Sequence, residues 1–124
     1  MAFRGLALIS IPVSDQKRAK DFYTNVLGFA LKREAPYREN TSWIELSPGD
    51  GQPSFTLVTW FPSMPAGSLR GLVLLVDNLE ATCADLKVRG LSLPEIKSEP
   101  WGRFATFSDP DGNGWVLQEA REKS

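Results

Sequence analysis

Apolar positions along this chain fall into two runs with the same grammar. Leu6-Ala7-Leu8-Ile9-Ser10-Ile11-Pro12-Val13 is a mostly apolar stretch that predicts a strand. Ser14 and Asp15 are good helix caps. Gln16 to Leu27 then carry Ala19, Phe22, Tyr23 and Val26 at helical spacing as far as Gly28. The second half repeats this order. Leu69 to Val76 predicts a strand, Asp77 or Asn78 a cap, and Leu79, Cys83 and Leu86 the inward face of a helix that stops at Gly90. Val13 and Val76 stand 63 residues apart, Gly28 and Gly90 stand 62 apart, and Ser47-Pro48-Gly49-Asp50-Gly51 precedes Asp109-Pro110-Asp111-Gly112-Asn113 by 62. One offset of half the chain length marks an internal repeat.

After each helix come short strand-like runs: Phe29–Arg33, Ser42–Leu46 and Phe55–Phe61, then Leu91–Ile96, Phe104–Ser108 and Trp115–Glu119, with Gly, Pro, Asn and Asp between them. Each half therefore reads β-α-β-β-β. Pro62 to Gly67 reads as the linker, too short to separate independent domains. The expected architecture is α+β: one domain over 1–124, made of half-repeats at about 1–61 and 68–124, whose curved mixed sheets form a cleft.

Composition removes many chemistries. The net charge of −1 offers no footprint for nucleic acid or acidic membranes. No apolar run nears the roughly 20 residues of a membrane span. The opening Met1-Ala2-Phe3-Arg4-Gly5 lacks the blocks of a secretion signal, and one cysteine permits no internal disulfide, so a cytoplasmic protein is expected. The chain has no histidine. That excludes Ser-His-Asp and Cys-His nucleophile pairs and every His-containing zinc or iron site. Neither a phosphate-cradling loop nor a dinucleotide fingerprint is present, and no cofactor is expected.

Three segments carry a specific resemblance: Ile11-Pro12-Val13-Ser14-Asp15 leading to Phe22-Tyr23 and Leu27-Gly28-Phe29, then Val76-Asp77-Asn78-Leu79-Glu80-Ala81, and above all Phe107-Ser108-Asp109-Pro110-Asp111-Gly112-Asn113-Gly114-Trp115-Val116-Leu117-Gln118-Glu119. The chain resembles the vicinal oxygen chelate superfamily of glyoxalase I, fosfomycin-resistance enzymes, extradiol dioxygenases and bleomycin-resistance proteins, closest in character to its small bleomycin-resistance-like members. The resemblance implies divalent-metal ligands at Leu8, Gly71, at or near Thr56, and at Val116. None is a ligand type, so the metal site is expected to be lost. Asp109-Pro110-Asp111-Gly112-Asn113-Gly114 imitates the opening of a calcium loop, but Ala120 stands at the twelfth position and strands flank it. A structural hairpin turn is expected.

If those ligand positions mark the inward side, strand alternation turns Leu8, Ser10, Thr56, Val58, Trp60, Gly71, Val73, Val116 and Gln118 toward a cleft that is apolar with a few hydrogen-bonding groups. Trp60, beside the linker, and Trp101, in the turn Glu99-Pro100-Trp101-Gly102, are candidate ligand contacts, whereas Trp115 is expected in the core. In Trp43-Ile44-Glu45-Leu46 alternation sends one pair inward and leaves the choice open. If Trp43 and Glu45 point in, Glu45 is the candidate proton acceptor or cation partner. Arg103 is a candidate clamp for a carboxylate or phosphate. Cys83 reads as a small buried hydrophobe. The candidate ligand-binding set is thus Trp43, Thr56, Trp60, Trp101, Arg103 and Gln118. Three functions follow from it: a metal-free small-molecule binding protein, a lyase- or isomerase-like enzyme with an atypical or metal-free site, and a dimeric interaction module with a filled cleft. The resembling small proteins dimerise, so a homodimer is expected.

Overall fold

The computed structural model of the chain describes residues 2–50, 52–93 and 95–120. The elements run β1 (Leu8–Pro12), α1 (Gln16–Asp21) continued by a π-helical turn (Phe22–Val26), β2 (Ala30–Pro36), β3 (Ser42–Ser47) and β4 (Ser54–Val58), then β5 (Leu72–Val76), α2 (Leu79–Val88), β6 (Lys97–Glu99), β7 (Gly102–Ser108) and β8 (Gly114–Glu119). Asp15 and Asn78 are the caps, each accepting a backbone N–H three residues on, from Arg18 and from Ala81. The two sheets are ordered β1-β4-β3-β2 and β5-β8-β7-β6. In each, the first strand pairs parallel with the last and the rest are antiparallel. The expected duplicated α+β fold is the observed one.

Three local expectations differ from the structure. The first helix is α-helical only to Asp21 and then widens, with Leu27 N–H reaching Phe22 O at 3.2 Å. Packing accounts for this, because Tyr23 is fully buried and carries its hydroxyl to Asp109 across the core. The run Leu91–Ile96 was expected as a strand, yet its described residues pair with nothing and β6 begins at Lys97. Leu91, Leu93 and Ile96 serve as packing against the core instead. In the first half the last strand stops at Val58, which leaves Trp60 and Phe61 beyond the ladder.

Alternation on each strand builds one shared core. Ile11, Ile44, Leu46, Phe55 and Leu57 from the first sheet, with Ala19 and Tyr23, meet Leu79, Cys83, Leu86, Ala105, Phe107 and Leu117 of the second half. Trp115 joins them: its ring centroid lies 5.3 Å from Phe55, 5.8 Å from Tyr23, 5.9 Å from Phe29 and 6.2 Å from Phe107. Burial pushes the Cys83 thiol up from its ordinary value and keeps it unreactive.

The Asp109–Asn113 turn is the polar weld between the halves. Asp109 accepts the N–H groups of Asp111 and Asn113 on one oxygen, and the Tyr23 hydroxyl (2.6 Å) and Asn113 Nδ2 (2.7 Å) on the other. Asn113 also donates to Pro12 O and accepts Leu69 N–H, and Asp111 takes Ser14 and Arg18. Gly112 has the positive φ (100°) expected of the turn. Gly67 is a glycine for a different reason: at φ 80° it lies against the Asp111 backbone, where a Cβ has no room. The loop is structural.

Candidate ligand-binding site

The two helix-side faces meet each other across Trp115. On the opposite face Val73 and Leu75 of the second sheet are exposed, whereas in the first sheet Trp43, Glu45 and Trp60 are half-buried and Thr56 is covered, at 1% exposure. On β3 the ambiguity of alternation is resolved. Ile44 and Leu46 are buried in the core, and Trp43 and Glu45 occupy the open face. Trp43 Nε1 donates to Glu45 Oε1 at 3.2 Å. Thr56 lies directly across from Glu45 in the β3–β4 pairing and beside Ser10 in the β1–β4 pairing, with the two hydroxyls 3.3 Å apart.

Three aromatic rings close the end of this face. Trp43 and Trp60 are nearly parallel, at 22° with centroids 6.4 Å apart. Tyr37 stands against both, 4.9 Å from Trp60 and 5.6 Å from Trp43. Tyr37 is brought there by the β2–β3 hairpin, whose turn holds Arg38 and Asn40 at φ 56° and 61°, a conformation that costs a non-glycine residue on the order of 1 kcal/mol or more. The Arg38 guanidinium lies 5.4 Å over the Tyr37 ring. The sequence reading passed over Tyr37. Pairing β2 against β3 would have found it, since Ala35 faces Trp43 and the chain turns back just after.

The remaining candidates lie in the second half. Gln118 is opposite Phe104 in the β7–β8 pairing, and Trp101 stacks on Phe104 at 5.1 Å and 19°. Val73 and Leu75 share this face through their pairing with Val116 and Gln118, and they are 52% and 68% exposed, high for aliphatic side chains in a strand. Arg103 alternates to the other side of β7. There it pairs with Glu80 of α2 and, at 3.5 Å, with Glu119. The hydrogen bond from Arg103 holds the Glu80 carboxyl below the usual carboxylate range and raises the guanidinium in turn. The structure thus gathers Trp43, Thr56 and Trp60 with Glu45 into one group and Trp101 and Gln118 into another, with Arg103 among the ion pairs of the helix side.

The positions that the family uses for metal are chemically unsuited to it. Leu8 and Thr56 in the first sheet and Gly71 and Val116 in the second supply at most one hydroxyl, and among the described residues no three His, Cys, Asp or Glu side chains converge. Gly71 and Val116 instead border a cavity of about 690 Å³ whose other walls include Phe22, Phe107, Trp115 and Arg70. A second cavity, of about 500 Å³, lies against Val73, Leu75, Ile9 and Phe55. Nothing in this donor set would hold a divalent ion.

A family model described as Glyoxalase/Bleomycin resistance protein/Dioxygenase superfamily matches residues 5–117. The chain belongs to this superfamily. Its structure is similar to that of TnmS3, an antibiotic binding protein from Streptomyces sp. CB03234, with a TM-score of 0.91 and 46% identity, over 98% of this chain and 99% of the other. A glyoxalase/bleomycin resistance protein from the same Streptomyces superposes with a TM-score of 0.81 at 48% identity, over 92% and 99% of the two chains. The human mitochondrial methylmalonyl-CoA epimerase is 30% identical over 129 residues, 92% of this chain and 71% of that one. No described helix of the chain is long and apolar enough to cross a membrane.

Proposed function

We propose that this chain is a metal-free small-molecule binding protein of the cytoplasm, a homodimer that takes a planar aromatic ligand on the open face of β3 and β4. The observation that carries the reading is the Tyr37–Trp43–Trp60 cluster, with its half-buried indoles, beside the half-buried Ser10 and Glu45. Aromatic rings left on an open face provide large, rigid stacking area, and a few polar groups orient what stacks there. The similarity to TnmS3, which is an antibiotic binding protein by description, supports a binding role over catalysis. The absence of metal-type donors at Leu8, Thr56, Gly71 and Val116 supports the same choice. The exposed Val73 and Leu75, beside Trp101 and Gln118, are the surface that a second copy brings over the first sheet, so that each site draws on both chains.

Titration of tryptophan fluorescence with two planar tricycles, neutral acridone and cationic proflavine, tests the reading. At least one should quench saturably, and Trp60→Ala should weaken it about 2- to 12-fold, the worth of one stacking contact. If neither tricycle perturbs the fluorescence, the reading fails. A second reading, a lyase- or isomerase-like enzyme with a metal-free site, draws on Glu45 facing the cluster and on the similarity to an epimerase. Solvent-deuterium incorporation into a bound carbon acid, lost in Glu45→Gln, would favour it.

A further inference from the structure

The outward face of the first sheet carries Tyr37, Trp43 and Trp60, the hydroxyls of Ser10 and Thr56, and the carboxylate of Glu45. Glu45 sits half-buried on β3, an inner strand, and among the described residues its carboxylate takes one hydrogen bond, given by Trp43 Nε1. Among the described residues no lysine or arginine approaches it within 4 Å. Arg33 is directly across from it in the β2–β3 pairing and would be its natural counter-ion, yet Arg33 is exposed on an outer strand and forms no ion pair. The hydroxyls of Ser10 and Thr56 lie 3.3 Å from each other and share one hydrogen bond. The equivalent position in the second half, matched through the core residues that flank it (Ile44 and Leu46 against Ala105 and Phe107), is Thr106, so the charge is peculiar to this face.

A ligand that covers Glu45 strips water from a carboxylate. A neutral ligand leaves that charge uncompensated, and the loss opposes binding. A ligand carrying a cation at that point recovers the loss through a charge-assisted hydrogen bond. The surrounding rings act in the same direction, because the faces of Trp and Tyr attract cations, and the Arg38 guanidinium already over Tyr37 shows the cluster accommodating one.

We propose that Glu45 is the counter-ion for a basic nitrogen on the ligand, which makes the ligand class a planar aromatic with a nitrogen, in the ring or on a side chain, protonated at neutral pH. The proposal rests on the ligand-binding reading above and adds charge selection to it. Proflavine and acridone have nearly the same tricyclic outline, and only proflavine is a cation at neutral pH. Calorimetry on the whole protein should find proflavine bound at least about tenfold more tightly than acridone. In Glu45→Gln that ratio should fall to near one, with thermal melting confirming the fold. In Glu39→Gln, which removes an exposed acid of the neighbouring turn, the ratio should persist.

Equal affinities for the two tricycles in the unmodified protein overturn the proposal and leave the aromatic-binding reading standing. A ratio that falls as far in Glu39→Gln as in Glu45→Gln also overturns it, by showing a diffuse field in place of a specific partner. Tighter binding of the anionic tricycle anthraquinone-2-sulfonate than of proflavine would do the same. If none of the three binds, this proposal falls together with the reading beneath it.

Discussion

Tyr23→Phe isolates the weld between the halves. The hydroxyl donates to Asp109 Oδ2 at 2.6 Å and accepts from Trp115 Nε1 at 3.0 Å, and all three groups are buried. Its removal deletes a hydrogen bond to a carboxylate, worth about 1.5–3 kcal/mol, and strands a buried indole N–H at a cost of about 1–3 kcal/mol. Asp109 keeps its donors from Asp111 and Asn113, which limits the damage. The combined loss should be about 3 kcal/mol, or a fall in Tm on the order of 10 °C. The pH dependence gives a second, independent reading. Burial, and then the hydrogen bond to Asp109, raise the Tyr23 phenol well above its ordinary value. A group whose folded pKa is raised contributes stability that is complete below its unfolded value and declines above it. Between pH 10 and 11 the unmodified protein should therefore lose about 1 kcal/mol that Tyr23→Phe does not lose, and the gap between the two should narrow. Urea denaturation of both proteins at pH 8, 10 and 11 measures this. A difference under 0.5 kcal/mol at pH 8, or a gap that stays constant to pH 11, would refute the reasoning.

The other expectations are simpler to state. Purified protein should carry no stoichiometric zinc, nickel, manganese or iron after dialysis, and about one equivalent by elemental analysis would contradict the reading of Leu8, Thr56, Gly71 and Val116. Sedimentation at micromolar concentration should show a dimer, and a monomeric mass would remove the role given to Val73 and Leu75. Trp115→Ala should cost about 3–5 kcal/mol in thermal melts as a buried large-to-small change. Trp101→Ala, at a side chain 47% exposed, should barely move the melt yet weaken binding of whichever tricycle binds.

The fold was legible because its grammar is local and stated twice. A capped helix between an apolar run and a glycine needs no tertiary information, and the repeat of Val13 at Val76 and of Gly28 at Gly90 supplied the pairing of the halves. What stayed hidden depends on packing. The run Leu91–Ile96 is apolar enough for a strand, but those side chains were needed against the core and the backbone carries no ladder. Trp43 and Glu45 could not be turned by alternation alone, because Ile44 and Leu46 are an equally good inward pair until Phe55 and Leu57 fix which face meets the helix. Arg103 was misleading for the same reason: one residue of alternation separates a position beside Trp101 from a position over Glu80.

The repeat is equal in backbone and unequal in chemistry, and the inequality divides the labour. The turn at Asp109–Asn113 ties Tyr23, Trp115, Pro12 and Leu69 together, whereas at its counterpart the Ser47 side chain, among the described residues, hydrogen-bonds to Gly49 of its own turn. The second half therefore supplies the weld. The first half, spared that task, carries Tyr37, Trp43, Glu45 and Trp60 on its open face, where the matched positions to Trp43 and Glu45 are Phe104 and Thr106. The donors that a divalent ion needs are missing from both halves alike, since Leu8, Thr56, Gly71 and Val116 offer one hydroxyl among them. A stacking site of the kind proposed needs only one half to be aromatic, and Val73 and Leu75 of the other half are exposed aliphatic surface.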